Sequence, residues 1–253
     1  MQIIPNSEMI PKTIHYCWFG RNPLPESARK CIDSWKRFFP DYQIKEWNED
    51  NFDVECLPYV RDAYQAKKYA FVSDYARFWI LYHHGGVYFD VDVEVIRSFD
   101  DILSKGPFWG IETETGAFGK PLVNPGLGIA SGPGEELYAT ILKKYETLPF
   151  YAPDGSVSSY TMIPMISDLF FEMGLKGDGS VECLGGHYFY PRDYFNPLDS
   201  FTGRLCKTGN TRSIHWYMAS WLPPEPAWKK KAKQIFHRIF GAGLSQRIKK
   251  LIS

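Results

Sequence analysis

The stretch HHGGVYFDVDVEVI, His83 to Ile96, holds three carboxylates, Asp90, Asp92 and Glu94, spaced two residues apart with no basic residue among them. Read with a period of two, Val87, Phe89, Val91, Val93 and Val95 fall on one face. Tyr88, Asp90, Asp92 and Glu94 fall on the other. Alternation with β-branched residues on the apolar side predicts one β-strand whose apolar face meets a core. The other face gathers like charges that repel one another unless a cation sits among them. Two carboxylates on one side of a strand suit Mg²⁺ or Mn²⁺, which prefer carboxylate, phosphate and water oxygens. The competing reading is an acidic strand face turned to solvent.

Upstream, AFVSDYARFWILYHH (Ala70 to His84) has a helical pattern with a natural stop at Gly85. Asp74 and Arg77 lie three apart and share a helix face; by spacing alone they are an ordinary ion pair worth about 0.2–0.5 kcal/mol. Further back, IPKTIHYCWFG reads as a first strand ending at Gly20, LPESARKCIDSWKRFFP as a helix ending at Pro40, and YQIKEWN as a second strand. The region up to Arg61 is polar and mixed. Downstream, PFWGIETET reads as a strand. NPGLGIASGPGEELYATILKKYETL gives a loop, a short strand, a Gly-Pro turn and a helix from about Glu135. SSYTMIPMISDLFFEMGL reads as a helix, VECLGGHYFYPRDYF as a strand with an aromatic loop, and TRSIHWYMASWL as a last strand and turn. Helices alternating with strands predict an α/β domain around a largely parallel sheet.

At 253 residues the chain suffices for one large α/β domain or two small ones. Aromatic residues make up 17%. They pack cores, but they also wall sites for sugars and bases. The net charge is zero, yet it is unevenly spread. From Ala227 onward there are eight basic residues and no acidic one, which leaves 21 basic against 29 acidic residues and a charge of −8 on the rest. Nothing in that body suggests nucleic-acid binding. Five cysteines without a CxxC pair argue against a disulfide framework and a zinc site, and for a reducing compartment. MQIIPNSEMIPK lacks a basic segment followed by an apolar run, so no signal peptide is expected. No apolar stretch reaches the roughly 18 residues of a membrane span.

Three stretches, IPKTIHYCWFG, SDYARFWILYHHGGVYFDVD and IHWYMASW, resemble glycosyltransferase family 32, the DxD-containing capsular-polysaccharide and Och1-like sugar transferases. More distantly they are similar to the glucosyltransferase domain of the large clostridial toxins. The resemblance covers Ile10 to about Pro224. It implies a GT-A fold, a single Rossmann-like domain, with a nucleotide-sugar donor, a divalent cation (Mn²⁺ or Mg²⁺) and retention of anomeric configuration.

Carried onto this sequence, the resemblance implies that Asp92 is a direct metal ligand. Asp90 contacts ribose or donor-sugar hydroxyls, with the metal through water. Asp74 and Arg77 hydrogen-bond the donor sugar, and Ser73 only caps or packs. Trp18, which by itself reads as a core aromatic, stacks on the base, and Tyr88 borders the nucleoside. His215, otherwise a buried core histidine, becomes a metal or phosphate ligand. Ser220 and Trp221 contact the diphosphate in a segment that folds over the donor. Asn124 lies in a loop near the donor sugar. Asp90, Asp92 and Arg77 carry the catalytic role, and no nucleophile is named. Glu94 matches no motif position. Glu112 and Glu114 hold acceptor hydroxyls or face solvent, the second being favoured. His83, His84 and His187 read as structural.

Residues 1–226 form the expected transferase domain and 227–253 a basic tail. There Ile235, Phe236, Ile239, Phe240, Leu244, Ile248, Leu251 and Ile252 recur at near-helical intervals, broken at Gly241 and Gly243. This is the pattern of an amphipathic helix on an anionic membrane surface, with docking on its own domain as the rival. The expected activity is transfer of a hexose from UDP-galactose, UDP-glucose or UDP-N-acetylglucosamine to a glycan or lipid-linked glycan. The expected location is cytoplasmic, peripheral on the inner face of the membrane. GDP-mannose is the alternative donor. A non-catalytic nucleotide-sugar-binding protein is an alternative of another class, opposed by the intact Asp74, Arg77, Asp90 and Asp92. A phosphoryl or nucleotidyl transferase would call for a Gly/Lys phosphate loop, which is absent.

Overall fold

The computed structural model describes residues 10–114 and 119–218, together with Trp228, Lys231 and Ile235. Outside the acidic stretch after Gly86, the expected strands and helices form where alternation and helical spacing put them. β1 (Thr13–Cys17) is followed by α1 (Glu26–Phe38), β2 (Gln43–Trp47), α2 (Pro58–Gln65), α3 (Tyr69–His84) and β3 (Gly86–Tyr88). Then come β4 (Val93–Val95), α4 (Asp100–Leu103), β5 (Phe108–Thr113), β6 (Leu122–Val123), β7 (Ile129–Ser131) and α5 (Glu136–Tyr145). The rest are α6 (Met162–Glu172), β8 (Glu182–Leu184), β9 (His187–Tyr190), α7 (Arg192–Phe195) and β10 (Ser213–His215). Helix α2 begins in the stretch up to Arg61 that the sequence reads as polar and mixed, and runs on to Gln65.

The main sheet has eight strands in the order β2-β1-β3-β7-β5-β9-β8, with β6 paired to β5. β2, β1, β3, β5 and β9 run in one direction; β7, β8 and β6 run against them. The sheet is therefore mixed and mostly parallel, as expected. Both of its faces are buried. Along β1, Cys17 enters one core and Ile14 and Tyr16 the other. Along β5, Trp109 and Ile111 alternate in the same way with Phe108. Residues of α2, α3, α5 and α6 fill the first core; residues of α1, α4 and α7 fill the second. Parallel strands covered on both sides by helices behave in this way.

The single strand expected over Val87–Val95 is two strands. β3 ends at Tyr88, a turn follows, and β4 pairs antiparallel with β10 in a separate two-stranded sheet. The Asp90 amide donates to the Gly126 carbonyl at 3.2 Å, and the Val93 amide donates to the Asp90 carbonyl at 3.0 Å. These bonds turn the chain out of the main sheet. The apolar reading survives the break, because Val87, Phe89, Val93 and Val95 all line the second core. The polar reading does not, because Tyr88 is buried in the first core. Helix α1 receives the displaced strand: the Trp35 indole donates to the Val93 carbonyl at 2.8 Å and the Val95 amide donates to Ser34 Oγ at 2.9 Å.

Among the described residues no helix is long and apolar enough to cross a membrane. All five cysteines are free. The expected tail helix lies outside the described residues apart from Trp228, Lys231 and Ile235, which are helical and exposed.

Candidate functional site

The break after β3 puts Asp90 and Asp92 beyond the carboxyl end of a central strand, where open α/β sheets bind their ligands. Helix α3 approaches the same point. It stops at Gly85 (φ 61°), and Gly86 (φ 105°) starts β3 at once; a Cβ there would come within 2.6 Å of the Thr13 carbonyl oxygen. This tight reversal lays α3 against β1 and β3 and aims Arg77 at the turn.

Arg77 is buried, and its Nη2 lies 3.0 Å from Asp74 Oδ1 and 3.0 Å from Asp90 Oδ1. Nε donates to the Ser73 carbonyl at 3.2 Å, and the guanidinium stands 5.0 Å from the Tyr88 ring centroid. The Tyr88 hydroxyl donates to Asp90 Oδ1 at 3.0 Å. Burial pushes the Asp74 carboxyl up to about 6. Its ion pair with Arg77 pulls the other way, and the like charge of Asp90 adds to the rise. Burial also holds the Tyr88 phenol far above its ordinary range, so it stays a donor. For Arg77, burial is outweighed by Asp90, Tyr88 and Asp74, and the guanidinium is a permanent cation.

Asp92 lies on the other side of the turn. His215 Nε2 is 3.1 Å from Asp92 Oδ1, and the Met218 amide donates to Oδ2 at 2.9 Å. Burial opposes the charge on Asp92, but His215 and the Met218 N–H outweigh it and hold this carboxyl below its usual range. Burial likewise opposes protonation of His215, and Asp92 outweighs it and moves the imidazole upward. Asp90, Asp92 and His215 each offer a ligand atom, and these atoms lie within 4.8 Å of one another. His215 Nδ1 is buried without a hydrogen-bond partner. Two carboxylates and one imidazole suit Mn²⁺ or Mg²⁺, and open positions would remain for phosphate oxygens.

The other expected residues divide. Trp18 follows the carboxyl end of β1, half-buried, with its indole N–H on the Asn22 carbonyl at 2.6 Å. Asn124 is buried and has a local duty: its Oδ1 accepts from the Gly126 amide at 2.8 Å. That bond shapes the loop whose Gly126 carbonyl holds Asp90, and a Cβ on Gly126 would collide with the Asp90 carboxylate. Ser220 and Trp221 lie outside the described residues. Ser73 donates to the Tyr69 carbonyl at 3.1 Å, in keeping with a packing role. Glu94 accepts from the Trp216 indole at 2.9 Å, away from the ligand cluster. His83 packs on Trp79, His84 on Trp47, and His187 accepts from the Trp109 indole at 3.1 Å.

Glu112 corrects an expectation. Its carboxylate does not simply face solvent; it accepts from the Tyr217 hydroxyl at 2.9 Å and from Asn124 Nδ2 at 3.4 Å. Glu114 accepts from the Arg192 amide at 3.3 Å. Tyr217 has no role in the sequence reading; it stands two residues beyond His215, past the end of β10. Its ring meets the His215 ring edge-on at 4.2 Å between centroids.

Residues 25–109 match the family model described as glycosyltransferase sugar-binding region containing DXD motif. Asp74, Arg77, Tyr88, Asp90 and Asp92 fall inside that region. Mannosyl phosphorylinositol ceramide synthase CSH1 of Saccharomyces cerevisiae is 32% identical over 204 residues, which are 77% of this chain and 51% of that protein. Inositol phosphoceramide mannosyltransferase 1 of Schizosaccharomyces pombe is 33% identical over 108 residues, 40% of this chain and 34% of its own. The chain thus spans about half or less of these curated relatives. Solved structures with a loose likeness include a PaToxG glycosyltransferase, 21% identical with a TM-score of 0.43 over 54% of this chain and 60% of its own. The galactosyltransferase LgtC is 13% identical, with a TM-score of 0.41 over 88% of this chain and 94% of its own. The family match and the yeast relatives agree with the resemblance to DxD-containing glycosyltransferases, and the motif SDYARFWILYHHGGVYFDVD lies inside the matched region.

Proposed function

We propose that this chain is a divalent-metal-dependent glycosyltransferase that moves a sugar from a nucleotide donor to a hydroxyl of a glycan or lipid-linked acceptor. The observation that carries the reading is the meeting of Asp90, Asp92 and His215 at one strand end, beside an arginine locked between two carboxylates. Asp92, Asp90 and His215 would hold Mn²⁺ or Mg²⁺. Such an ion supplies charge neutralisation to the departing diphosphate. Arg77 fixes the orientation of Asp74 and Asp90, whose remaining lone pairs accept from donor hydroxyls. Trp18 offers an aromatic face to the base, with Tyr88 buried at the neighbouring strand end. Retention of configuration follows the resemblance; deprotonation of the acceptor by the leaving phosphate would require no protein nucleophile.

A UDP-hexose is the donor expected from the motifs. A second reading is favoured by the relatives, whose names specify mannosyl transfer to inositol phosphoceramide. On that reading the donor is GDP-mannose and the acceptor is a lipid. Incubation with a panel of nucleotide sugars, with Mn²⁺ or with chelator, tests both. Release of nucleoside diphosphate from one donor, lost on chelation, is expected. Release from none, or release unaffected by chelation, overturns the metal-dependent reading.

A cytoplasmic, membrane-peripheral location belongs to the same proposal and rests on the eight basic residues after Ala227. Flotation with anionic vesicles should carry the full chain, weaken with salt over a Debye length of roughly 10 Å at 0.1 M, and fail for the chain cut after Pro226. Failure of the full chain to float overturns the location.

A further inference from the structure

We propose that Tyr217 and Glu112 form a positioning latch. The bond between them holds the segment Trp216–Met218 against the Asp90-Val91-Asp92 turn and so sets Asp92 and His215 in register with Asp90 for one ion. This deepens the metal-dependent reading and rests on it.

Strand β10 ends at His215, and its pairing with β4 ends there too. Hydrogen bonds to the turn, to β4 and to β5 hold the next three residues. The Trp216 amide donates to the Asp92 carbonyl at 3.0 Å, the Trp216 indole to Glu94 Oε2 at 2.9 Å, and the Met218 amide to Asp92 Oδ2 at 2.9 Å. Those three end on the turn or on β4, so they travel with the small sheet. The fourth, from the Tyr217 hydroxyl to Glu112 Oε1 at 2.9 Å, crosses to β5 of the main sheet.

That crossing closes a circuit between the ligand residues. Asp90 is held by the Gly126 carbonyl, and the Gly126 amide is held by Asn124 Oδ1. Asn124 Nδ2 reaches Glu112, and Glu112 takes the Tyr217 hydroxyl. The Tyr217 ring then backs the His215 ring, whose Nε2 faces Asp92. Asp90 is thus tied to His215 through residues that are not ligands themselves, and His215 meets Asp92 directly.

Tyr217 adopts φ 49°, one of three non-glycine residues in the left-handed region among those described. A tyrosine keeps such a backbone only where its surroundings over-determine it. Here the turn folds the side chain back across His215.

The test uses the full chain and its Y217F, E112A and E112Q variants. Mn²⁺ affinity is read by calorimetry, and amide hydrogen exchange at Trp216 and Met218 is read with and without Mn²⁺. Y217F removes one oxygen and leaves the ring on His215. Groups that orient metal ligands typically change metal affinity by about 10–100-fold when lost. Y217F and E112A should each weaken Mn²⁺ binding by about tenfold and speed exchange at both amides. E112Q, which keeps an acceptor oxygen, should remain within about threefold of wild type. If wild type binds no Mn²⁺, the metal-dependent reading falls, and exchange alone decides whether the latch holds the segment. Wild-type exchange at both amides in Y217F, or unchanged Mn²⁺ affinity where wild type binds, overturns the latch.

Discussion

The two flanks of the Asp90-Val91-Asp92 turn are built differently. On one flank Arg77 comes from the middle of α3, a 16-residue helix packed into a core, and the side chain is itself buried. On the other flank His215 comes from the end of a three-residue strand, and the chain beyond it is held by a backbone bond to Asp92 and by side-chain bonds. The Arg77 flank is therefore part of the folding core, with its charges set before any ligand arrives. The His215 flank is an attachment whose geometry depends on a few contacts. Substitutions on the first should register as stability, and substitutions on the second as ligand binding.

The largest effect that would break this contrast is on Arg77. R77A leaves Asp74 and Asp90 without their shared cation, and removal of one partner from a buried pair costs about 3–5 kcal/mol. Chemical denaturation should show a loss of that size; a loss below about 1 kcal/mol would make the Arg77 flank no more structural than the other. Asp74 gives a pH signature on the same flank. Burial raises its folded carboxyl to about 6 from an ordinary value of 3.8, so the folded state binds the extra proton between them. The stability contributed by Asp74 should therefore fall as pH rises from about 4 to about 6, by up to about 3 kcal/mol, and D74N should lack that slope. Parallel pH profiles for the two proteins would refute the assignment.

On the other flank D92N keeps the shape and removes the charge. Metal-dependent turnover should drop at least about a hundredfold, the scale on which lost electrostatic stabilisation is felt, while the melting temperature changes little. Unchanged turnover in a folded D92N protein removes Asp92 from the chemistry. The smallest effect is at Trp18. W18A should weaken nucleotide binding by about 1–3 kcal/mol if the indole stacks on the base, and calorimetry with UDP and GDP reads this and ranks the donors together. Equal affinity returns Trp18 to a packing role.

The same asymmetry explains what the sequence disclosed. Arg77, Asp74 and the stop at Gly85 were legible because helical spacing and a glycine terminator are local signals. The valines and Phe89 of the broken strand were also assigned to a core correctly, since alternation is local. The break itself was not legible. It is made by the Gly126 carbonyl and by Trp216 and Met218, which lie far along the chain from Asp90 and Asp92. Helix α2 was missed because its apolar residues, Tyr59, Val60 and Ala63, span little more than one turn among polar neighbours. Glu112 at a strand end carries no periodic signature of a bond to Tyr217, so solvent was the simpler expectation.

The reversal at Gly85 and Gly86 also sets a limit on length. Arg77 and Asp90 are 13 positions apart, and nearly all of that interval is helix, two glycines and strand. A single residue inserted between Arg77 and Gly85 would rotate the preceding helix by about 100° relative to the strand and carry the guanidinium off the carboxylate. Between Asp154 and Ser156, where an exposed turn closes on itself, the same insertion would move nothing that the site uses. Natural and engineered variants of this chain should therefore differ in length at the second place and keep one length at the first.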